Sequence, residues 1–167
     1  TEHLDVLVIG AGISGIGAGH HLQKRCPQKR YAILEGRADL GGTWDLFRYP
    51  GIRSDSDMYT LGYAFKPWTE PKDIADAANI MAYLRETAAE FDIDKHIRYQ
   101  HQVTKAEWDS QAQHWTLTID RGLEGDTITM SCNFLFFCSG YYNYKKGYTP
   151  EFADSEKFSG ELVHPQF

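Results

Sequence analysis

Apolar residues fall along the chain in short blocks whose spacing switches between that of buried strands and that of helices. Leu4-Asp5-Val6-Leu7-Val8-Ile9 runs almost unbroken into Gly10, as a strand covered on both faces does. A helix is predicted over about Ile13–Arg25, and a second strand over Tyr31-Ala32-Ile33-Leu34. From 74 to 91, Ile74, Ala77, Ala78, Met81, Leu84, Ala88 and Phe91 share one helical stripe, with Asp73 placed to cap its first turn. Segments 97–101, 103–108, 115–120 and 127–132 predict short strands, separated by turns that include Asp109-Ser110 and Gly122-Leu123-Glu124-Gly125. These suit an antiparallel meander inserted between parallel strands. Phe134-Leu135-Phe136-Phe137-Cys138 predicts one more strand buried on both faces, ending at Ser139-Gly140. Ligands commonly lie at such a carboxyl end. The stretch 36–44 is too rich in glycine for a helix, and 45–68 is aperiodic and aromatic, suiting either a cover over a ligand or a cap on a sheet edge.

The first strand delivers the chain to Gly10-Ala11-Gly12-Ile13-Ser14-Gly15, and Glu35 stands at the end of the second. Gly10 suits the tight turn, Gly12 the close approach of backbone to a pyrophosphate, and Gly15 the packing of helix on strand. The helix would aim its unpaired N–H groups, with Ile13 and Ser14, at phosphates, and Glu35 would meet a ribose hydroxyl. A carboxylate there repels a 2′-phosphate, so FAD or NAD fits better than NADP. Strand, glycines, helix, strand and acid in this order define an α/β, Rossmann-like domain with a parallel central sheet.

Composition narrows the partners. The 167 residues suit one core, and 17 basic against 23 acidic residues give a net charge of −6 with no dense Lys/Arg stripe, which argues against nucleic acid. Apolar runs are too short for a membrane span, and the first strand begins too early for a signal peptide, so a cytoplasmic protein is expected. Cys26, Cys132 and Cys138 make no disulfide or zinc pattern, the seven histidines are scattered, and no metal site is expected. Cys138 suits small apolar filler better than a reactive thiol. Neither a phosphate-binding Gly-Lys-Ser/Thr loop nor a Gly-x-Ser-x-Gly elbow occurs.

At Gly41-Gly42-Thr43-Trp44, Arg48-Tyr49-Pro50-Gly51-Ile52-Arg53-Ser54-Asp55 and Phe158-Ser159-Gly160-Glu161-Leu162-Val163-His164 the chain resembles the start of a Baeyer-Villiger monooxygenase, a class B flavoprotein monooxygenase. The likeness to one bacterial member extends through Tyr49–Tyr63 and Phe137–Tyr144. The resemblance implies tightly held FAD, hydride taken from NADPH, and one oxygen atom of O2 inserted beside a ketone carbonyl, to an ester or lactone, or added to sulfur, through a C4a-peroxyflavin. It implies that Gly10, Gly12, Gly15 and Glu35 hold the FAD pyrophosphate and ribose, and that Gly42, Thr43 and Trp44 follow the cofactor toward its flavin. Ser139, Gly140, Tyr63 and Val103 are further candidate contacts. Asp55 matches an acid beside the flavin that orients an arginine from a later part of the protein. Arg53 either neutralises local charge or clamps Asp55 or Asp57. Phe158, Gly160 and His164 match the fingerprint joining FAD and NADP domains, so 1–157 is expected to be the N-terminal portion of an FAD domain and 158–167 the start of a linker. No second Gly-x-Gly-x-x-Gly occurs, so the NADPH site is expected mostly outside this chain. A flavin-containing N- or S-oxygenase and a non-catalytic FAD-binding fragment are the alternatives.

Overall fold

In the computed structural model, which describes residues 1–122 and 126–166, the predicted first unit forms as β1 (Glu2–Ile9), α1 (Ile13–Arg25) and β2 (Tyr31–Leu34). β1 and β2 pair in parallel from Val6↔Tyr31 to Ile9↔Leu34. After β2 come two single-turn helices, α2 (Thr43–Leu46) and α3 (Met58–Leu61), and then the long α4 (Ala77–Glu90). Four strands follow, β3 (Ile97–Arg98), β4 (Gln102–Asp109), β5 (His114–Asp120) and β6 (Thr127–Phe137). Together they make one six-stranded sheet in the order β3-β2-β1-β6-β5-β4. The β4–β5–β6 meander is antiparallel, and its last strand is parallel to β1.

Side-chain alternation along β1 supplies both cores. Val6 and Val8 join Ile16, Ile33, Met58, Ile80 and Leu84 beneath the helices. Leu7 faces the other way and packs with Leu34, Leu117, Ile119 and Met130.

Several expectations change. The glycine-rich loop after β2 ends in a helical turn at Thr43, with Gly42 (φ 56°) as its N-cap. α4 starts at Ala77 because Ile74 and Ala75 stay outside the helix, Ala75 accepting from the Ser54 amide. Its cap is therefore Asp76, which accepts from the Asn79 amide at 3.0 Å, while Asp73 accepts from its neighbour Ile74. The strand expected over 97–101 ends at Arg98, since Gln100 turns at φ 53° and donates to the Arg37 carbonyl.

The two strands expected over 127–132 and 134–138 are one. β6 pairs with β1 from Met130 to Phe137 but with β5 only from Thr127 to Cys132. Burial on both faces does not follow beyond that point. Leu135 is buried, yet Phe134, Phe136 and Phe137 are 59, 44 and 60 % exposed. Of the predicted turn before β6, Leu123–Gly125 lie outside the described residues, as does Phe167.

Candidate dinucleotide-binding site

The site starts at the β1–α1 turn. Gly10 adopts φ 100°, a conformation that favours glycine, and its amide donates to the Leu34 carbonyl at 2.8 Å. A Cβ there would stand 2.5 Å from the Cys138 carbonyl oxygen, so the turn is closed on its far side by the end of β6. Gly15 has no room either, its Cβ position lying 1.9 Å from the Gly10 carbonyl oxygen. Gly12 differs. Its Cβ position meets only the Gly42 backbone, no nearer than 3.7 Å, so the protein itself does not demand glycine there. Gly12 is also the N-cap of α1 and no side chain caps the helix, which leaves first-turn amides and the positive end of the helix dipole for a ligand.

β2 carries Glu35 to the same place. The carboxylate is buried, with Oε2 accepting from the Ala11 amide at 2.8 Å and Oε1 from the Arg37 amide at 2.9 Å. Both bonds leave each oxygen a further lone pair for a hydroxyl. These groups border a cleft of about 470 Å³ lined by Gly10, Gly12, Ile13, Ser14, Glu35, Gly42, Thr43, Trp44, Val103, Ser139 and Gly140. Gly15 lies behind it, as a packing position.

A second cleft, of about 790 Å³, adjoins the first, and Thr43 and Trp44 line both. It brings together Arg53, Asp55, His164 and the aromatic rings of Phe47, Tyr49 and Tyr142. Asp55 and Arg53 are exposed. Among the described residues Arg53 forms no ion pair with Asp55 or Asp57, and Asp57 instead caps α3 by accepting from Thr60. The clamp reading of Arg53 is thus not what this arrangement contains. The loop is fixed by backbone, through an Arg53–Asp76 bridge and the buried Ser54.

Three expected residues stand elsewhere. Tyr63 lines neither cleft, because its hydroxyl donates to the Ile13 carbonyl at 2.5 Å and its ring stacks between Phe65 and Tyr83. Burial pushes its phenol well above the ordinary range. It braces the start of α1 from behind. Phe158 is exposed and, with Gly160, lies outside both clefts.

Sequence reasoning gave no role to Arg37, Gln102 and Tyr144, which line the first cleft. Burial raises the Tyr144 phenol, partly offset by its hydrogen bond with Thr43, and its oxygen would lie 3.3 Å from a Cβ on Gly42. No motif points to Tyr144, since its position depends on how the chain returns after β6. Burial also raises the Cys138 thiol, keeping it protonated beside the turn, in line with a filler role. His20 is buried in α1 and stacks on Phe65 at 3.6 Å. Among the described residues no three His, Cys, Asp or Glu side chains gather as a metal-ligand set, and no helix is long and apolar enough to cross a membrane.

An uncapped helix, a buried acid beneath it and a glycine turn sealed by the neighbouring parallel strand define a Rossmann-like dinucleotide-binding domain. The model of the NAD(P)-binding Rossmann-like domain family matches residues 8–86. The FAD-containing monooxygenase EthA of Mycobacterium tuberculosis is 58 % identical over 166 residues, 99 % of this chain and 34 % of that protein. Among solved structures, an oxidized steroid monooxygenase bound to NADP superposes with TM-score 0.79 at 32 % identity, over 98 % of this chain and 31 % of the other. A cyclohexanone-bound cyclohexanone monooxygenase gives TM-score 0.79 at 25 % identity, over 99 % and 31 %. The chain is an α/β Rossmann-like domain similar to the N-terminal part of Baeyer-Villiger-type FAD monooxygenases such as EthA. It spans about a third of the length of the curated relatives it matches.

Proposed function

We propose that the protein to which this chain belongs is an FAD- and NADPH-dependent monooxygenase that inserts an oxygen atom from O2 into small ketones, and that this chain supplies the FAD site. The observation that carries the proposal is the pair of clefts sharing Thr43 and Trp44 as a wall. One has the donors and acid for an adenosine diphosphate, and the other opens at Asp55 where a reacting ring would lie. The residues fit FAD physically, because a Cβ on Gly12 would meet protein only at ordinary contact distance, the amides of α1 are uncapped, and Glu35 has lone pairs to spare.

Bound flavin supplies the redox chemistry, accepting hydride and activating O2. The chain's own residues bind and orient. The first-turn amides of α1 take the pyrophosphate, Glu35 takes the ribose hydroxyls, and Thr43 and Trp44 guide the cofactor between the clefts. Asp55 holds a cationic group supplied from outside the chain, fixing positive charge where negative charge develops. Phe158, Gly160 and His164 begin the connection to an NADPH-binding domain beyond residue 167. Downstream chain covers Phe134, Phe136 and Phe137, whose exposure on one strand exceeds what an isolated surface tolerates well. A cytoplasmic setting, where NADPH is supplied, completes the proposal.

The test is to purify the full-length protein, titrate FAD, and follow NADPH oxidation with a linear ketone and with a thioether. Ester formation at full flavin occupancy is the expected result. Sulfoxide without ester would move the protein to the flavin-containing N- or S-oxygenases, and failure to bind FAD would remove the proposal.

A further inference from the structure

Asp45 is a buried carboxylate shared by two arginines from opposite ends of the site. Its Oδ2 accepts from Arg37 Nη2 at 2.5 Å and its Oδ1 from Arg48 Nη2 at 3.1 Å, while Arg48 Nε donates to the Asp45 carbonyl at 3.1 Å. Arg37 lies two residues after Glu35, its amide already on that carboxylate, and its side chain lines the first cleft. Arg48 is largely exposed and leads into the segment that forms the wall of the second cleft.

Arg37 has more donors than the protein uses. Of the five N–H groups on a guanidinium, the bond to Asp45 employs one nitrogen, and among the described residues neither Nε nor Nη1 has an acceptor. About a third of the side chain remains exposed, so Asp45 fixes the group without covering it. Paired in this way the guanidinium keeps a defined direction, whereas a free arginine would lose rotamer entropy on meeting a ligand. Glu35 and Asp45 offset Arg37 and Arg48, and Lys145 is a further cation on the cleft lining, so Arg37 offers directed donors within a modestly positive site.

We propose that Arg37 is a further cofactor-binding residue, donating to an oxygen on the adenosine diphosphate half of FAD, and that Asp45 is the positioning residue that holds it. The inference rests on the FAD reading above. Asp45 also ties the loop that holds Arg37 to the helical turn at Thr43, so the adenosine end and the wall shared by the clefts move as one piece.

The test uses full-length protein stripped of flavin, with Arg37→Met, Asp45→Asn and the double variant, titrated with FAD, ADP and FMN. Arg37→Met should weaken FAD and ADP about 10-fold or more, as expected for a lost charge-assisted hydrogen bond, and leave FMN within about twofold. Asp45→Asn should weaken ADP by a smaller factor, and the double variant should match Arg37→Met alone, because Asp45 acts through Arg37. A purely structural role would lower the melting temperature and weaken all three ligands together. Unchanged ADP affinity in Arg37→Met, or a further loss when Asp45→Asn is added to it, overturns the inference. If Asp45→Asn does not fold, the split between ADP and FMN in Arg37→Met decides. Wild-type protein that binds neither FAD nor ADP overturns the FAD reading and this inference with it, whereas wild type and Arg37→Met binding both equally well overturn this inference alone.

Discussion

At the Glu35 end of the cleft system a buried carboxylate is held by two backbone amides, the turn at Gly10 is sealed by the Cys138 carbonyl, and Arg37 is fixed on Asp45. At the Asp55 end the acid and its neighbour Arg53 are exposed and share no ion pair among the described residues. The binding groups of the first end, Glu35, Arg37, Asp45 and the first-turn amides of α1, lie near one another in sequence, and segments 101–103 and 138–145 close the cleft around them. The second offers exposed side chains on a braced loop, and in the proposed function it takes its cationic partner from outside the chain. Binding groups are fixed within this chain at the first end, whereas the second leaves its acid without an ion pair among the described residues.

Breaking the open end should have the largest effect. In the full-length enzyme Asp55→Ala is expected to leave FAD bound and to lower ester formation about 10²- to 10³-fold, the size seen when one preorganised electrostatic group is lost. Hydrogen peroxide should appear in place of ester. Measuring bound flavin, peroxide and ester on one preparation checks this, and unchanged ester yield would show that the open end does not work through Asp55.

The closed end separates into fold and ligand by two glycines. Gly15→Ala drives a methyl group into the Gly10 carbonyl and should cost about 2–3 kcal/mol, lowering the melting temperature by roughly 4–12 °C. Gly12→Ala meets no such obstacle, so its melting temperature should stay near wild type while FAD affinity falls about 10-fold or more. Equal melting losses in both would erase the distinction.

A fourth substitution tests whether the exposed strand face is completed by assembly. Phe136→Ser in the full-length protein should cost about 2 kcal/mol, the worth of a buried phenylalanine, read as a drop of about 4–8 °C. No change would mean that the face remains open to water.

The smallest effect concerns acid. Burial holds the His20 imidazole below its ordinary value of 6.5, with His21 and Lys24 adding to the depression; on the facing loop, Lys66 is paired with Glu86 and Glu90 of α4. The unfolded chain therefore binds a proton that the folded one resists. The contribution is intact above pH 6.5 and is lost as pH falls below it toward the folded value. His20→Phe, which keeps the stack on Phe65, should flatten this slope in urea melts at pH 7.5 and 5.5. An equally steep slope in the variant would locate the acid sensitivity elsewhere.

What could be read from sequence follows the same division. β1, α1 and β2 were legible because apolar period, glycine spacing and a terminal acid act within 35 residues, and the helix bounds agree at both ends. The start of α4 was misplaced because Asp73 and Asp76 both suit a cap, and the choice is made by a long-range pairing of Ser54 with Ala75. Phe134–Phe137 reads as doubly buried, yet burial depends on what lies beside a strand, which no local pattern encodes. Arg37 escaped notice because its partner, eight residues on, is recognisable only once the loop has folded back.

The parallel pairing of β1 with β6 also sets a timetable. Glu2 stands opposite Met130, 128 positions later, so the second strand of the sheet's central pair is made well after the first. At about 5–20 residues per second a ribosome needs roughly 6–25 s to follow one with the other. Throughout that interval Leu7 and Val8 have β2 on one side and no strand on the other, and the glycine turn lacks the Cys138 carbonyl that closes it. The glycine turn is therefore closed only once residue 138 has been made, so the cofactor site is completed after its own first strand and helix.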